Sequence, residues 1–202
     1  MQTIKNIIFD LGGIFLALDY KKTELAFADL GAPIENLYKQ DFASALFEDL
    51  ETGKITPDAF YDAFRKTTQS QLSDDQIRTA WNAMLLGFPI ERLKWLEEIK
   101  TRYNVYLFSN TNQIHYDYLI PHFKKEIGVN FNDYFIKAYY SHELGLRKPY
   151  PNSYLKILEE QNLIASETLF IDDTYKNIEG ATEAGLQTIY LTAPKTVLDL
   201  EL

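Results

Sequence analysis

Apolar positions along the chain fall into two regimes. At the start, Ile7-Ile8-Phe9 is a continuous apolar run that ends abruptly on Asp10, followed by Gly12-Gly13. A run without polar alternation reads as a strand covered on both faces, as in a parallel sheet. Ile14 to Leu18 is a second short apolar stretch, either a flap or a continuation of that strand. From Tyr20 to about Phe88 the spacing becomes helical. Leu25, Phe27 and Ala28 are stopped by Gly31-Ala32-Pro33, and Phe42, Leu46 and Leu50 by Gly53. Thr56-Pro57 starts a helix with a capping hydroxyl and a proline at its first position, with Phe60, Ala63 and Phe64 inward. Ser73-Asp74-Asp75-Gln76 has the form of a capping box, leading to Ile77, Trp81 and Met84 or Leu85. The stretch carries no strand pattern and predicts a helical bundle inserted after the first strand. Its aromatic residues fill that bundle, with Phe47 the candidate for a pocket wall.

From Pro89 helices and strands alternate. Leu93, Leu96 and Ile99 mark the buried side of a helix over 90–103, and Val105 to Phe108 is a buried strand ending in Ser109-Asn110-Thr111-Asn112. Ile114, Tyr118 and Phe123 mark the next helix, Tyr134 to Tyr140 a third strand, and Tyr154, Ile157 and Leu158 the helix after Lys148-Pro149. Leu169 to Ile171 is a fourth strand ending in Asp172-Asp173, and Thr188 to Leu191 a fifth. This alternation predicts an α/β fold with a doubly wound parallel sheet of about five strands and right-handed crossovers. Residues 1–18 and 89–202 form the α/β domain, and 19–88 a helical domain.

Polar clusters stand where strands end: Asp10, Ser109-Asn110 and Asp172-Asp173, with Lys148 in a loop just beyond another. In an open α/β sheet those ends face one crevice. Three carboxylates there repel one another, and a divalent cation resolves the conflict; oxygen ligands with open positions suit Mg²⁺. A lysine and a hydroxyl beside such a metal form a phosphate clamp. The net charge of −9, with 7 Lys/Arg against 12 Asp/Glu (−5) over 19–88, argues against nucleic acid or an anionic membrane as partner. The absence of cysteine excludes thiolate chemistry and fits a reducing, cytoplasmic setting. No apolar run approaches the ~18 residues of a membrane span, and no signal segment is evident.

Taken together, the chain resembles the haloacid dehalogenase (HAD) superfamily of capped phosphatases. Asp10-Leu11-Gly12-Gly13 resembles its first motif, Ser109-Asn110 the second, Lys148-Pro149 the third and Asp172-Asp173-Thr174-Tyr175-Lys176-Asn177 the fourth. Within the superfamily, the phrases around Ser109, Lys148 and Asn177-Ile178-Glu179-Gly180-Ala181 are most similar to bacterial α-glucose-1-phosphate phosphatases. The resemblance implies a Mg²⁺-dependent phosphatase acting on a small phosphorylated metabolite, with sugar phosphates favoured. Asp10 is implied as the nucleophile that forms an aspartyl-phosphate. Asp10, the Gly12 carbonyl and Asp173 are implied as metal ligands, with Asp172 acting directly, through water or through Lys148. Ser109, the Asn110 backbone and Lys148 are implied to bind the transferring oxygens.

One position departs from the family pattern. An acid–base aspartate usually stands two residues after the nucleophile; here that residue is Gly12. The departure leaves room for two other readings. A 2-haloacid dehalogenase needs neither metal nor that aspartate, although Asp172-Asp173 would repel its anionic substrate. A catalytically weak phosphometabolite-binding protein is the other. His115, His122 and His142 lack metal-ligand spacing and read as surface or satisfied histidines, with His115 and Asp19 the outside candidates for a substitute acid. Asn177 reads as a residue that ties the loop after Asp173.

Overall fold

A computed structural model gives the architecture. It describes residues 3–39 and 42–202, without the side chains of Lys39 and Phe42. In chain order the strands are β1 (Asn6–Phe9), β2 (Ala17–Leu18), β3 (Tyr38–Lys39), β4 (Phe42–Ala43), β5 (Leu85–Gly87), β6 (Asn104–Ser109), β7 (Lys137–Tyr140), β8 (Thr168–Asp172) and β9 (Gln187–Tyr190). The α-helices are α1 (Tyr20–Asp29), α2 (Ala45–Glu51), α3 (Pro57–Thr68), α4 (Asp74–Asn82), α5 (Ile90–Ile99), α6 (Gln113–Ile127), α7 (Ser141–Leu144), α8 (Pro151–Glu160) and α9 (Tyr175–Glu183).

Five strands form one parallel sheet in the order β7-β6-β1-β8-β9. β1 lies at its centre, and all four of its residues are buried. Ile7 and Phe9 pack with the layer of α5 and α6, while Ile8 packs with the layer of α8 and α9. That two-sided burial is why the run shows no alternation. The fold is therefore the expected doubly wound α/β arrangement.

The segment between β2 and β5 is helical and has its own apolar core. Phe27, Phe47, Phe60, Phe64 and Trp81 meet there, with Phe47 fully buried. Thr56 caps α3 by accepting from Ala59 N at 3.3 Å, and Ser73 and Gln76 close the capping box on α4. The segment also contains strand pairs that its pattern did not show. β3 pairs antiparallel with β4, and β2 with β5, so Ala17 and Leu18 leave the main sheet and join the segment to the α/β layers. Strands of two or three residues are too short to display a period.

Other boundaries shift for local reasons. The third strand begins at Lys137 because Phe131–Tyr134 form a 3₁₀ turn. In α6 the buried face runs through Ile114, His115, Leu119 and Phe123, leaving Tyr118 exposed. Leu25 is exposed on α1, where Thr23 and Phe27 turn inward. Phe42's predicted core position lies outside the described side chains. Among the described residues, no helix is long and apolar enough to cross a membrane.

Candidate active site

The crevice forms where β1, β6 and β8 end. Asp10 continues β1 by one ladder bond, donating its N–H to Ile171 O at 2.9 Å. The chain then turns sharply. Gly13 adopts φ +71°, and a Cβ there would stand 2.2 Å from Asp173 Oδ2. Arg92 on α5 pins this turn, donating to the carbonyls of Gly13 at 2.7 Å and Ile14 at 2.8 Å.

Lys148 is the hub of the site and is 1% exposed. Its Nζ lies 2.6 Å from Asp10 Oδ1 and 2.7 Å from Asp172 Oδ2. Asn110 holds its backbone by a reciprocal pair: Asn110 Nδ2 donates to Lys148 O, and Lys148 N donates to Asn110 Oδ1, both at 2.9 Å. Asp172 also accepts from Thr174 N at 2.8 Å and from Asn177 Nδ2 at 3.1 and 3.0 Å. Asp173 has a weaker contact with Thr174 Oγ1, 3.3 Å away. The expected tie by Asn177 thus falls on Asp172, and Asp173 is the less engaged of the pair. Ser109 is buried and borders an adjoining cavity with Gly12 and Asn110. Ser141, fully buried, accepts from Thr111 N and donates to Thr111 O, both at 2.9 Å, which fixes the loop after Ser109.

Electrostatics follow from burial. One oxygen from each of Asp10, Asp172 and Asp173 can be chosen so that all lie within 4.8 Å of one another. Burial pushes the Asp10 pKa up to about 8, with Lys148 opposing and Asp172 and Asp173 adding to the rise. Burial and Asp172 likewise raise Asp173 to about 6. Burial disfavours the charge on Lys148, but Asp10 and Asp172 outweigh it and hold its pKa above the ordinary lysine value. Three oxygen donors that one ammonium leaves partly uncompensated fit a hard divalent cation.

Sequence reasoning brought Asp10, Gly12, Asn110, Lys148 and Asp173 to one crevice, where the structure also has them, with Ser109 and Asp172 bordering it. It missed Tyr20, Tyr38, Glu51 and Arg147, which wall the same crevice. Phe47 is not a pocket wall; it sits in the helical core, packed in tilted and edge-to-face contacts with Tyr38, Phe60 and Trp81. His115 is neither a surface nor a fully satisfied histidine. Its Nδ1 pairs with Asn82 Oδ1 at 2.7 Å, Nε2 has no hydrogen bond, and burial lowers its pKa to about 3. It is neutral at pH 7 and has no acidic proton to give. Asp19 caps α1 by accepting from Lys21 N.

A doubly wound parallel sheet with a carboxylate triad at its carboxyl edge and a helical insertion after its first strand is thus the frame that holds this crevice. Residues 4–185 match the haloacid dehalogenase-like hydrolase family, and the chain belongs to it. The D-ribitol-5-phosphate phosphatase of Bacteroides thetaiotaomicron is 33% identical over 187 residues, covering 92% of this chain and 90% of that one. The sesquiterpene phosphatase astK of Aspergillus oryzae is 28% identical over 193 residues, covering 94% and 91%. Among solved structures, a mutant HAD family enzyme from B. thetaiotaomicron in complex with magnesium and inorganic phosphate is 34% identical. It superposes with a TM-score of 0.89, over 95% of this chain and 96% of that one.

Proposed function

We propose that this protein is a Mg²⁺-dependent phosphatase that hydrolyses a small phosphorylated polyol or sugar. The single observation that carries the reading is Lys148 buried between Asp10 and Asp172, with Asp173 completing a carboxylate triad. The relatives that act on phosphate esters support it. Without a cation, Asp172 and Asp173 would repel the anionic substrate of a 2-haloacid dehalogenase.

In this reading Asp10, the Gly12 carbonyl and Asp173 hold Mg²⁺, and Asp172 keeps Lys148 in place. The ion supplies charge neutralisation that lets an anionic phosphate approach an anionic nucleophile. An Asp10 carboxylate oxygen attacks phosphorus, the P–O bond to the leaving group breaks, and an aspartyl-phosphate forms. Lys148, Ser109 and the Asn110 N–H bind the oxygens on which charge accumulates. Gly12 has no proton to donate, so the departing oxygen takes one from water, and a second water releases phosphate from Asp10. Residues 19–88 act as a cap that covers the crevice and shapes the leaving-group pocket.

The reading is tested by phosphate release from polyol 5-phosphates, α- and β-sugar 1-phosphates, sugar 6-phosphates and nucleotides, with Mg²⁺ and with chelator. Polyol and sugar phosphates are expected to lead by at least tenfold in kcat/KM, with activity abolished by chelation. A nucleotide preference, or turnover in chelator, would contradict it.

The raised carboxyl pKa values make a second expectation. Asp10 and Asp173 titrate near 8 and 6 in the folded protein, above their ordinary 3.8. Without metal the folded state therefore retains protons that the unfolded chain releases. Its stability falls as pH rises from about 4 to about 8. Mg²⁺ binds the deprotonated carboxylates, so the rise in unfolding temperature on adding saturating Mg²⁺ is expected to grow from pH 6 to pH 8. Thermal melts with and without Mg²⁺ check this; an increment that shrinks with pH would refute the ligand assignment.

A further inference from the structure

A second polar cluster borders the crevice, and the phosphoryl-transfer steps leave it unused. Glu51 ends α2 and is 3% exposed. Its Oε2 stands 3.0 Å from Arg147 Nη2, outside hydrogen-bond alignment, and both Glu51 Oε2 and Arg147 Nε are buried without a hydrogen bond. Tyr38 is the third member of this cluster, its hydroxyl held above the ordinary tyrosine pKa by burial and by the Glu51 carboxylate beside it. Glu48 faces Arg147 at 3.6 Å from the same helix. Glu51, Arg147 and Tyr38 line the crevice together with Asp10 and Lys148.

An acceptor and a donor buried side by side, each with bonding capacity to spare, suit a group that donates and accepts at once. A hydroxyl does this, and a polyhydroxylated leaving group offers several. A leaving group ending in a carboxylate is instead disfavoured, because Glu51 and Glu48 together outnumber the single Arg147 cation they flank. Accepting the phosphatase reading, we propose that Glu51, with Arg147 and Tyr38, is the specificity determinant that binds leaving-group hydroxyls and rejects anionic leaving groups. The neutral isostere Glu51→Gln weakens the hydroxyl contact and frees Arg147 to attract an anion.

The test compares wild type and Glu51→Gln, both with Mg²⁺, on D-ribitol 5-phosphate, p-nitrophenyl phosphate and phosphoglycolate. The ratio of kcat/KM on ribitol 5-phosphate to that on p-nitrophenyl phosphate is expected to fall roughly 10- to 100-fold, the scale of a hydrogen bond to a charged group. The fall should sit in KM for the polyol substrate, and the phosphoglycolate ratio should rise. A common loss on all three substrates would overturn the proposal and leave Glu51–Arg147 as a structural tie between helix and loop. If Glu51→Gln does not fold, Tyr38→Phe removes one hydroxyl. It is then expected to lower the polyol ratio at least threefold, and equal scaling would again overturn the assignment. A wild type inactive on every phosphomonoester would instead defeat the phosphatase reading itself, and this proposal with it.

Discussion

Lys148→Met is expected to lower kcat on p-nitrophenyl phosphate by about 10²–10³-fold or more and to lower the unfolding temperature of the metal-free protein by roughly 10 °C at pH 8. The lysine ammonium is enclosed by Asp10 and Asp172 at 2.6 and 2.7 Å. Methionine fills similar space without charge. It leaves two buried carboxylates facing each other, a break that typically costs about 3–5 kcal/mol. Asp10 can relieve part of that cost by taking a proton, so the loss should deepen as pH rises. The activity loss has a separate cause, since no cation of the chain then meets the transferring oxygens at this position. Thermal melts at pH 6 and 8, run beside steady-state kinetics, check both halves. A variant with normal kcat and an unchanged melt would remove Lys148 from the site.

Gly13→Ala is expected to lower activity by at least about 10²-fold and to weaken Mg²⁺ binding about tenfold or more, the scale on which a displacement near 1 Å acts on catalysis and a lost ligand orientation on a metal. Two effects add. The residue sits at φ +71°, where an L side chain is strained by about 1–2 kcal/mol. Its new Cβ would also lie 2.2 Å from Asp173 Oδ2 and 2.7 Å from Asp173 Cγ, so the aspartate must turn away. Gly31 separates the two. It has φ +73° with nothing within 4 Å of an added Cβ. Gly31→Ala should therefore lose a comparable amount of stability while keeping activity and Mg²⁺ affinity. Equal activity losses in the two variants would mean that backbone strain alone matters and that Asp173 is not displaced.

The parts of the site legible in sequence are those that local chemistry marks. Ile7-Ile8-Phe9 is apolar on both faces because the strand has a layer on each side, and Asp10 is conspicuous because it ends that run. Asp172-Asp173 stand out for the same reason, as charges placed where a buried strand stops, and Lys148 by its place just before a proline-led helix. Glu51 gives no such signal. A glutamate at the end of a short helix reads as solvated, and it is buried only because Arg147, nearly a hundred positions away in sequence, comes to meet it. Tyr20 and Tyr38 are likewise drawn to the crevice by how the helical segment docks, which periodicity within that segment does not encode. Arg92 belongs to an ordinary amphipathic helix, and its grip on the Gly13 and Ile14 carbonyls is a tertiary fact. The misplaced Tyr118 shows a narrower failure: two adjacent apolar residues, Tyr118 and Leu119, compete for one inward position, and the shorter one takes it.

The most direct measurement is phosphate release by wild type and Asp10→Asn, each with Mg²⁺ and with chelator, using a polyol phosphate and p-nitrophenyl phosphate. An amide keeps the shape of Asp10 but lacks the nucleophilic carboxylate. If Asp10 forms the phospho-enzyme, only wild type with Mg²⁺ turns over, and Asp10→Asn falls by at least about 10³-fold on both substrates. Turnover that survives in Asp10→Asn, or that persists in chelator, would place the chemistry elsewhere and contradict the assignment of this crevice as a phosphatase site.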